Sequence, residues 1–182
     1  EGGYTKFYRK EANQEWQFQD QYEGGIGDQC GTAVDIVRNQ FSLSNSLFAV
    51  TGCPQDESAR GRAIVYPFDG NQWQQGISVI ASDGASGDTF GSALAITVSC
   101  DFVPPAAFLC QPRLAVGAPT KSHGSAILGG AVYVYAGSNF NETDIFTHEA
   151  PSTFGATLFG ISVDINPSQL LVGSSQAFTS NC

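Results

Sequence analysis

The amino-acid sequence predicts an all-β fold built by stacking one four-stranded antiparallel unit, and three recurrences predict it. A glycine-led piece occurs three times and aligns without a gap: Gly31-Thr32-Ala33-Val34-Asp35-Ile36, Gly91-Ser92-Ala93-Leu94-Ala95-Ile96 and Gly160-Ile161-Ser162-Val163-Asp164-Ile165. Each is followed by a second shared piece, Leu47-Phe48-Ala49-Val50-Thr51-Gly52-Cys53-Pro54, Leu114-Ala115-Val116-Gly117-Ala118-Pro119 and Leu170-Leu171-Val172-Gly173-Ser174. A third piece runs from glycine to tyrosine over one fixed interval, in Gly3 to Tyr8, Gly61 to Tyr66 and Gly130 to Tyr135. Gly31 and Gly91 lie 60 residues apart and Gly91 and Gly160 lie 69 apart. Periods of that length, filled with short β-rich pieces, mean that a single supersecondary unit is being stacked.

The elements follow in chain order. Residues 1–30 read as the end of a preceding unit, with its third strand at Tyr4 to Tyr8 and its fourth at Trp16-Gln17-Phe18-Gln19. Residues 31–90 read as one whole unit and 91–159 as another, their fourth strands led by Trp73 and, more weakly, by Ile145. Residues 160–182 begin a further unit and reach its second strand at Gln169 to Gly173. Ala131-Val132-Tyr133-Val134-Tyr135 shows the strand logic: β-branched and aromatic residues alternate, so valines take one face and tyrosines the other. Turn chemistry punctuates the joins at Pro54, Asp69-Gly70, Asp83-Gly84, Pro119 and Gly129-Gly130. No stretch of similar length has helical periodicity, so very little helix is expected.

Phe90-Gly91, Gly117-Ala118-Pro119, Gly130 to Tyr135 and a tryptophan-led outer strand together resemble the FG-GAP repeat, the blade of the integrin α-subunit type of β-propeller. The best copy runs from Trp73 to Tyr135. In the first copy Cys30 stands for the phenylalanine and Cys53 for the alanine of Gly-Ala-Pro, and the third has Gly173-Ser174-Ser175. The resemblance implies four-stranded antiparallel blades of a β-propeller, here partial, at about three blade-equivalents. Phe90, Leu94, Ile96, Val116 and Val132 are then expected in the layers between blades. Propellers close with roughly four to eight blades, so the half-blades are expected to be completed by other chains, other copies or the remaining blades of a longer chain. A sequence without any methionine also fits a processed or partial product.

The cysteines and one sequon point to an oxidising, extracellular setting. Cys30 opens the first strand of its unit and Cys53 ends the second, and antiparallel neighbours bring those ends together, so a Cys30–Cys53 disulfide is expected. Cys100 and Cys110 bracket a long insertion, and a second bond there would staple that loop. Cys182 is left over, for a partner in missing sequence or another molecule. Asn141-Glu142-Thr143 is an N-glycosylation acceptor, placed in the link between third and fourth strands.

Several function classes drop out. A net charge of −9 without a Lys/Arg run argues against nucleic-acid binding. No apolar stretch approaches the ~20 residues of a membrane-spanning helix. The loops between first and second strands lack the alternating aspartates on which integrin-type blades hold Ca²⁺, and Asp83-Gly84-Ala85-Ser86-Gly87-Asp88 reads as a turn, so no metal or cofactor is expected. Neither a Gly-x-Ser-x-Gly elbow nor a phosphate loop is present, Gly24-Gly25-Ile26-Gly27 reads as another turn, and no catalytic residue is assigned. The expected function is that of a non-enzymatic extracellular adhesion or structural protein, whose blades serve protein–protein assembly at a cell surface, in matrix or in a surface fibre. The aromatic loop residues Phe102 and Phe108 are its candidate contact surface. The alternatives are the accessory propeller of a secreted hydrolase, since similar repeats accompany a phospholipase that cleaves glycolipid anchors, and a carbohydrate-binding module using Trp16, Trp73 or Tyr135.

Overall fold

The computed structural model describes residues 2–39, 46–104, 107–123, 128–148 and 156–175. In chain order its strands are β1 (Tyr4–Lys10), β2 (Trp16–Glu23), β3 (Val34–Arg38), β4 (Leu47–Cys53), β5 (Arg62–Phe68), β6 (Ile77–Val79), β7 (Ala93–Val103), β8 (Ala107–Ala118), β9 (Ala131–Ala136), β10 (Asn141–Thr147), β11 (Ser162–Ile165) and β12 (Leu170–Gly173). They form four antiparallel sheets: the pair β1-β2, the meanders β3-β4-β5-β6 and β7-β8-β9-β10, and the pair β11-β12. Two complete four-stranded sheets thus lie between two half-sheets. Among the described residues helix is confined to one turn at Asp56–Ala59, in which Glu57 and Ser58 sit at positive φ.

The sheets pack face to face because inner strands such as β5 and β9 are apolar and buried on both faces. In β9, Tyr133 and Tyr135 point toward the β3–β6 sheet and meet the edge of the Phe90 ring at 5.4 and 6.1 Å. Val50 and Val65 come from one side of that layer, and Leu94, Leu114 and Val116 from the other. Val132, on the opposite face of β9, is fully buried beside Gly160 of the next unit. A second layer joins β1-β2 to the β3–β6 sheet through Phe7, Ile64, Tyr66 and the Cys30 and Cys53 side chains.

The joints between sheets repeat atom for atom. Gly3 bridges Cys30, Gly61 bridges Phe90 and Gly130 bridges Phe159, each in parallel sense. Gly31 N–H donates to Gly52 O at 3.1 Å, Gly91 to Gly117 at 3.0 Å and Gly160 to Gly173 at 3.0 Å. Gly31, Gly91 and Gly160 all take φ near 90°, a region that only glycine enters cheaply. The three glycine-led pieces therefore occupy one equivalent setting. The first strands are in mutual contact, β7 packing on β3 and on β11. Asp35 of β3 strengthens one such contact by accepting the Ile96 N–H at 2.8 Å.

Three local expectations change. The insertion between Cys100 and Cys110 is a β-ribbon extending β7 and β8, with Cys100 directly opposite Cys110, because Thr97 to Val103 keeps the two-residue alternation of the strand before it. The fourth strand of the second sheet is only Ile77–Val79. Trp73 instead bridges Phe68 and lays its ring 4.4 Å from Phe7 and 5.0 Å from Phe68. The sequon is not in the link: Asn141 opens β10 itself, after the turn at Gly137 to Phe140.

Both disulfides are formed, Cys30 to Cys53 and Cys100 to Cys110. The first occupies the place that Phe90 and Ala118 fill in the next unit and is buried among Phe7, Ile64 and Tyr66. Each closes a loop whose entropy is worth about 3 kcal/mol in the unfolded chain. The Cys100–Cys110 bond is partly exposed on its ribbon. A mild reductant is therefore expected to open it first, lowering the melting temperature by about 6 to 12 °C at most while the fold is kept, whereas reduction of Cys30–Cys53 should accompany global unfolding. Mass spectrometry of alkylated thiols along a reductant series checks that order.

Candidate functional site

The polar chemistry of the molecule concentrates in the turns that precede the first strands. Asp28 and Asp88 stand two residues before Cys30 and Phe90, and each closes its own turn. Asp28 Oδ2 accepts the Gly25 N–H and Asp88 Oδ2 the Ala85 N–H, both at 2.8 Å. In the β7–β10 unit a buried lysine reaches into this turn. Lys121 Nζ donates to Asp88 Oδ2 at 3.0 Å and to the Asp83 carbonyl at 2.9 Å, and stands 3.3 Å from Asp83 Oδ1. Tyr133 donates its hydroxyl to Asp83 Oδ1 at 2.6 Å. In the preceding unit Arg62 does similar work, 2.9 Å from Asp56 and 3.7 Å from Asp28, and donates to the Tyr22 hydroxyl at 3.1 Å.

The electrostatics mark these groups as structural staples. Partial burial alone would raise the Asp83 pKa, but the hydrogen bonds from Tyr133 and Lys121 outweigh it and hold the carboxyl below the ordinary range. Burial, and next the Asp83 hydrogen bond, push the Tyr133 hydroxyl far above its ordinary value. Asp56 moves upward, because desolvation exceeds the attraction of Arg62. The Lys121 ammonium thus lies between the Asp83 and Asp88 carboxylates. Among the described residues no three His, Cys, Asp or Glu gather in a metal-ligating group.

A lowered folded-state pKa means that Asp83 contributes stability above its unfolded value and loses it as pH falls through the folded value. Half of the side chain is exposed, so the contribution is at most about 1 kcal/mol. Asp83→Asn is expected to lower the melting temperature slightly at pH 7 and to flatten its decline below about pH 4, as scanning calorimetry across that range checks.

The residues singled out from sequence are placed as follows. Asn141 is exposed at the start of β10, and Thr143 donates its hydroxyl to the Val134 carbonyl at 3.1 Å, so a glycan there would project into solvent. Phe102 is exposed and lies opposite Phe108 in the ribbon register, while the Phe108 side chain and Cys182 fall outside the described residues. His123 and His148 lie in different segments, His148 beside the Phe159 ring. Trp16 is 66% exposed. Among the described residues no helix is long and apolar enough to cross a membrane.

A feature the sequence did not single out is the pair of outward faces on the half-sheets. β1 and β2 turn Tyr4, Tyr8, Trp16 and Phe18 outward, with Lys6 and Lys10 in the same rows. Beside them a groove of about 530 Å³ runs between β1 and the bare front of β3, lined by Phe7, Val34, Ile36 and Trp73 among others. At the opposite end of the stack a groove of about 280 Å³ lies between β9-β10 and the β11-β12 turn, lined by Val134, Asp144, Phe146 and Leu170 among others. No protein-family model matches the chain, and no curated protein matches it. Its role is therefore argued from these faces and from the disulfide-bonded, sequon-bearing scaffold.

Proposed function

We propose that this chain is a non-enzymatic extracellular protein whose sheets are blades of an FG-GAP-type propeller and whose task is assembly with other proteins. The observation that carries this reading is the concentration of large exposed apolar side chains on the two outward faces of the stack. Apolar patches of this kind mark contact surfaces. The disulfides and the exposed sequon support the extracellular setting. The Lys121–Asp88 and Arg62–Asp56 pairs tie basic and acidic side chains into turns.

Secretion from eukaryotic cells behind a heterologous leader tests the setting. The recovered protein should carry a glycosidase-sensitive mass increment that Asn141→Gln abolishes, and four of its cysteines should resist alkylation. Retention inside the cell as an unglycosylated chain with free thiols would overturn the extracellular reading, and turnover of an ester, glycoside or phosphodiester substrate the non-enzymatic one.

One observation favours a second reading, carbohydrate binding: Trp16 presents an exposed indole. It stands within a contiguous row with Tyr8 and Phe18, whose rings lie 6.0 Å apart, a geometry suited to a protein face. Saturable oligosaccharide binding that Trp16→Ala removes would turn the assignment to that alternative.

A further inference from the structure

We propose that Asn141 takes a glycan only before the β9-β10 hairpin locks onto the β3–β6 sheet, and that Glu142, the middle residue of the sequon, is the latch that shuts the site. The inference rests on the extracellular reading above and names how its modification site is regulated.

Folding ties down the residues around the acceptor. Phe140, immediately before it, is 4% exposed and meets the Phe48 ring edge-on at 6.1 Å, in the apolar layer between the two complete sheets. Its N–H closes the turn on the Gly137 carbonyl at 3.1 Å, and Asn141 then pairs with Ala136 of β9. Glu142 Oε1 accepts the Ser82 hydroxyl at 2.7 Å, and Oε2 accepts the Ser82 N–H at 3.1 Å and the hydroxyl of buried Tyr135 at 3.2 Å. Ser82 lies in the chain leaving β6, 60 residues earlier, so this carboxylate fastens the hairpin to the neighbouring sheet. Thr143 falls at a bulge in the β9-β10 register and donates its hydroxyl to the Val134 carbonyl at 3.1 Å. The Asn141 side chain itself is exposed.

Glycan transfer needs some of these same groups free. An enzyme that selects Asn-x-Thr reads the hydroxyl two residues after the asparagine and takes the segment into its own cleft. The Asn141 amide nitrogen attacks the anomeric carbon of an oligosaccharide carried on a lipid diphosphate. A C–N bond forms as the C–O bond to phosphate breaks, the lipid diphosphate leaves with the bonding pair, and the amide proton passes to a base of the transferase. In the folded chain the Thr143 hydroxyl is already committed to Val134. Lifting residues 140–143 into a cleft would draw Phe140 out of the apolar layer and break the Glu142 contacts. The folded molecule is therefore a poor acceptor, whereas the unfolded chain offers the triplet freely. Occupancy records which came first, transfer or hairpin closure. A glycan already on the exposed Asn141 side chain leaves the latch intact, so it does not oppose folding.

Transfer in vitro tests the latch. The 182-residue chain is made without glycan and oxidised, and a second portion is reduced and alkylated until circular dichroism shows it unfolded. Each is given purified oligosaccharyltransferase with a lipid-diphosphate-linked oligosaccharide, and the glycan increment is followed by mass spectrometry. The unfolded chain should be glycosylated, and the folded chain roughly 100-fold more slowly, because transfer must wait for local opening. Asn141→Gln should accept nothing in either form. Ser82→Ala leaves the Asn-x-Thr triplet and the apolar layer unchanged and removes one latch contact. It should speed transfer to the folded chain roughly tenfold, near the lower end for a hydrogen bond to a charged group, and leave the unfolded rate as it was. In secreting cells a pulse of dithiothreitol, which delays disulfide-dependent folding, should raise Asn141 occupancy. Equal rates for folded and unfolded wild type would overturn the closure and leave the glycosylated, extracellular reading standing. A folded rate that Ser82→Ala does not change would remove Glu142 from the latch. Transfer to neither form would sink the glycan itself, and this inference with it.

Discussion

Gly117→Ala is expected to lower the melting temperature by about 6 to 12 °C, with the loss of a full joint between sheets rather than of one contact. A Cβ at this position would collide with the Gly160 carbonyl oxygen, and the obstacle is backbone, which no rotamer change can move aside. Gly117 also accepts the Gly91 N–H, so displacing it disturbs the first-to-second strand closure of its own unit as well. Overpacking of a dense interior costs about 1–3 kcal/mol and more where nothing yields, which sets the estimate at the upper end. Gly52→Ala should behave alike, since its added carbon would strike the Gly91 carbonyl oxygen in the same manner. Gly137→Ala is the control: unlike Gly52 and Gly117 it has positive φ, but its Cβ meets nothing within 4 Å, so it should cost no more than the backbone strain of about 1 kcal/mol. Thermal unfolding of the three variants side by side separates close approach from conformation.

Lys121→Met should cost about 3–5 kcal/mol in urea unfolding, the largest effect of any single side chain outside the apolar layers. The lysine is buried, and Asp88 beside it is buried too, so truncation leaves a buried carboxylate with the Ala85 N–H but without the Lys121 ammonium. Loss of the Asp83 carbonyl partner adds to this, and the Asp83 side chain keeps only the Tyr133 hydroxyl and its own surroundings. Adding Asp88→Asn to Lys121→Met should recover a large part of the loss, because the uncompensated charge is then gone. If the double variant is no more stable than Lys121→Met alone, the pair is not coupled and the staple is misassigned.

How much of this was legible in sequence varies with the physics involved. The sheet order was readable because glycine at Gly31, Gly91 and Gly160 is required by backbone approach, and such a requirement leaves a recurrent mark, here at intervals of 60 and 69 residues. The Cys30–Cys53 bond was readable for the same reason, since both cysteines replace residues whose places the repeat defines. Lys121 was passed over because its partners Asp83 and Asp88 are 38 and 33 residues away, and a lysine after Pro119 looks like an ordinary turn residue. The strand character of Phe102 was hidden by the Pro104-Pro105 pair that follows in the sequence, which reads as loop chemistry. The sequence placed Asn141 in a link because its polar neighbours mask the strand that starts there. That the half-sheets would be incomplete was readable from the repeats, but which side chains stand bare was not: whether Tyr8 is covered depends on what stands beside it, and Tyr66 and Tyr135 look identical to it in the chain.

The stepwise packing of sheets also grades the molecule along its length. Among the described residues the larger contacts between sheets join neighbours in the series, so opening free energy is approximately a sum of nearest-neighbour couplings. Among the described residues the β3–β6 and β7–β10 sheets are held from both sides, while β1-β2 and β11-β12 are each held from one. Amide hydrogens of Val116 and Tyr133 should therefore exchange only through whole-molecule unfolding, and those of β2 and β12 through local fraying that leaves the centre intact. The protein is in that sense a stiff spine with softer margins, and whatever covers a margin should slow exchange there first.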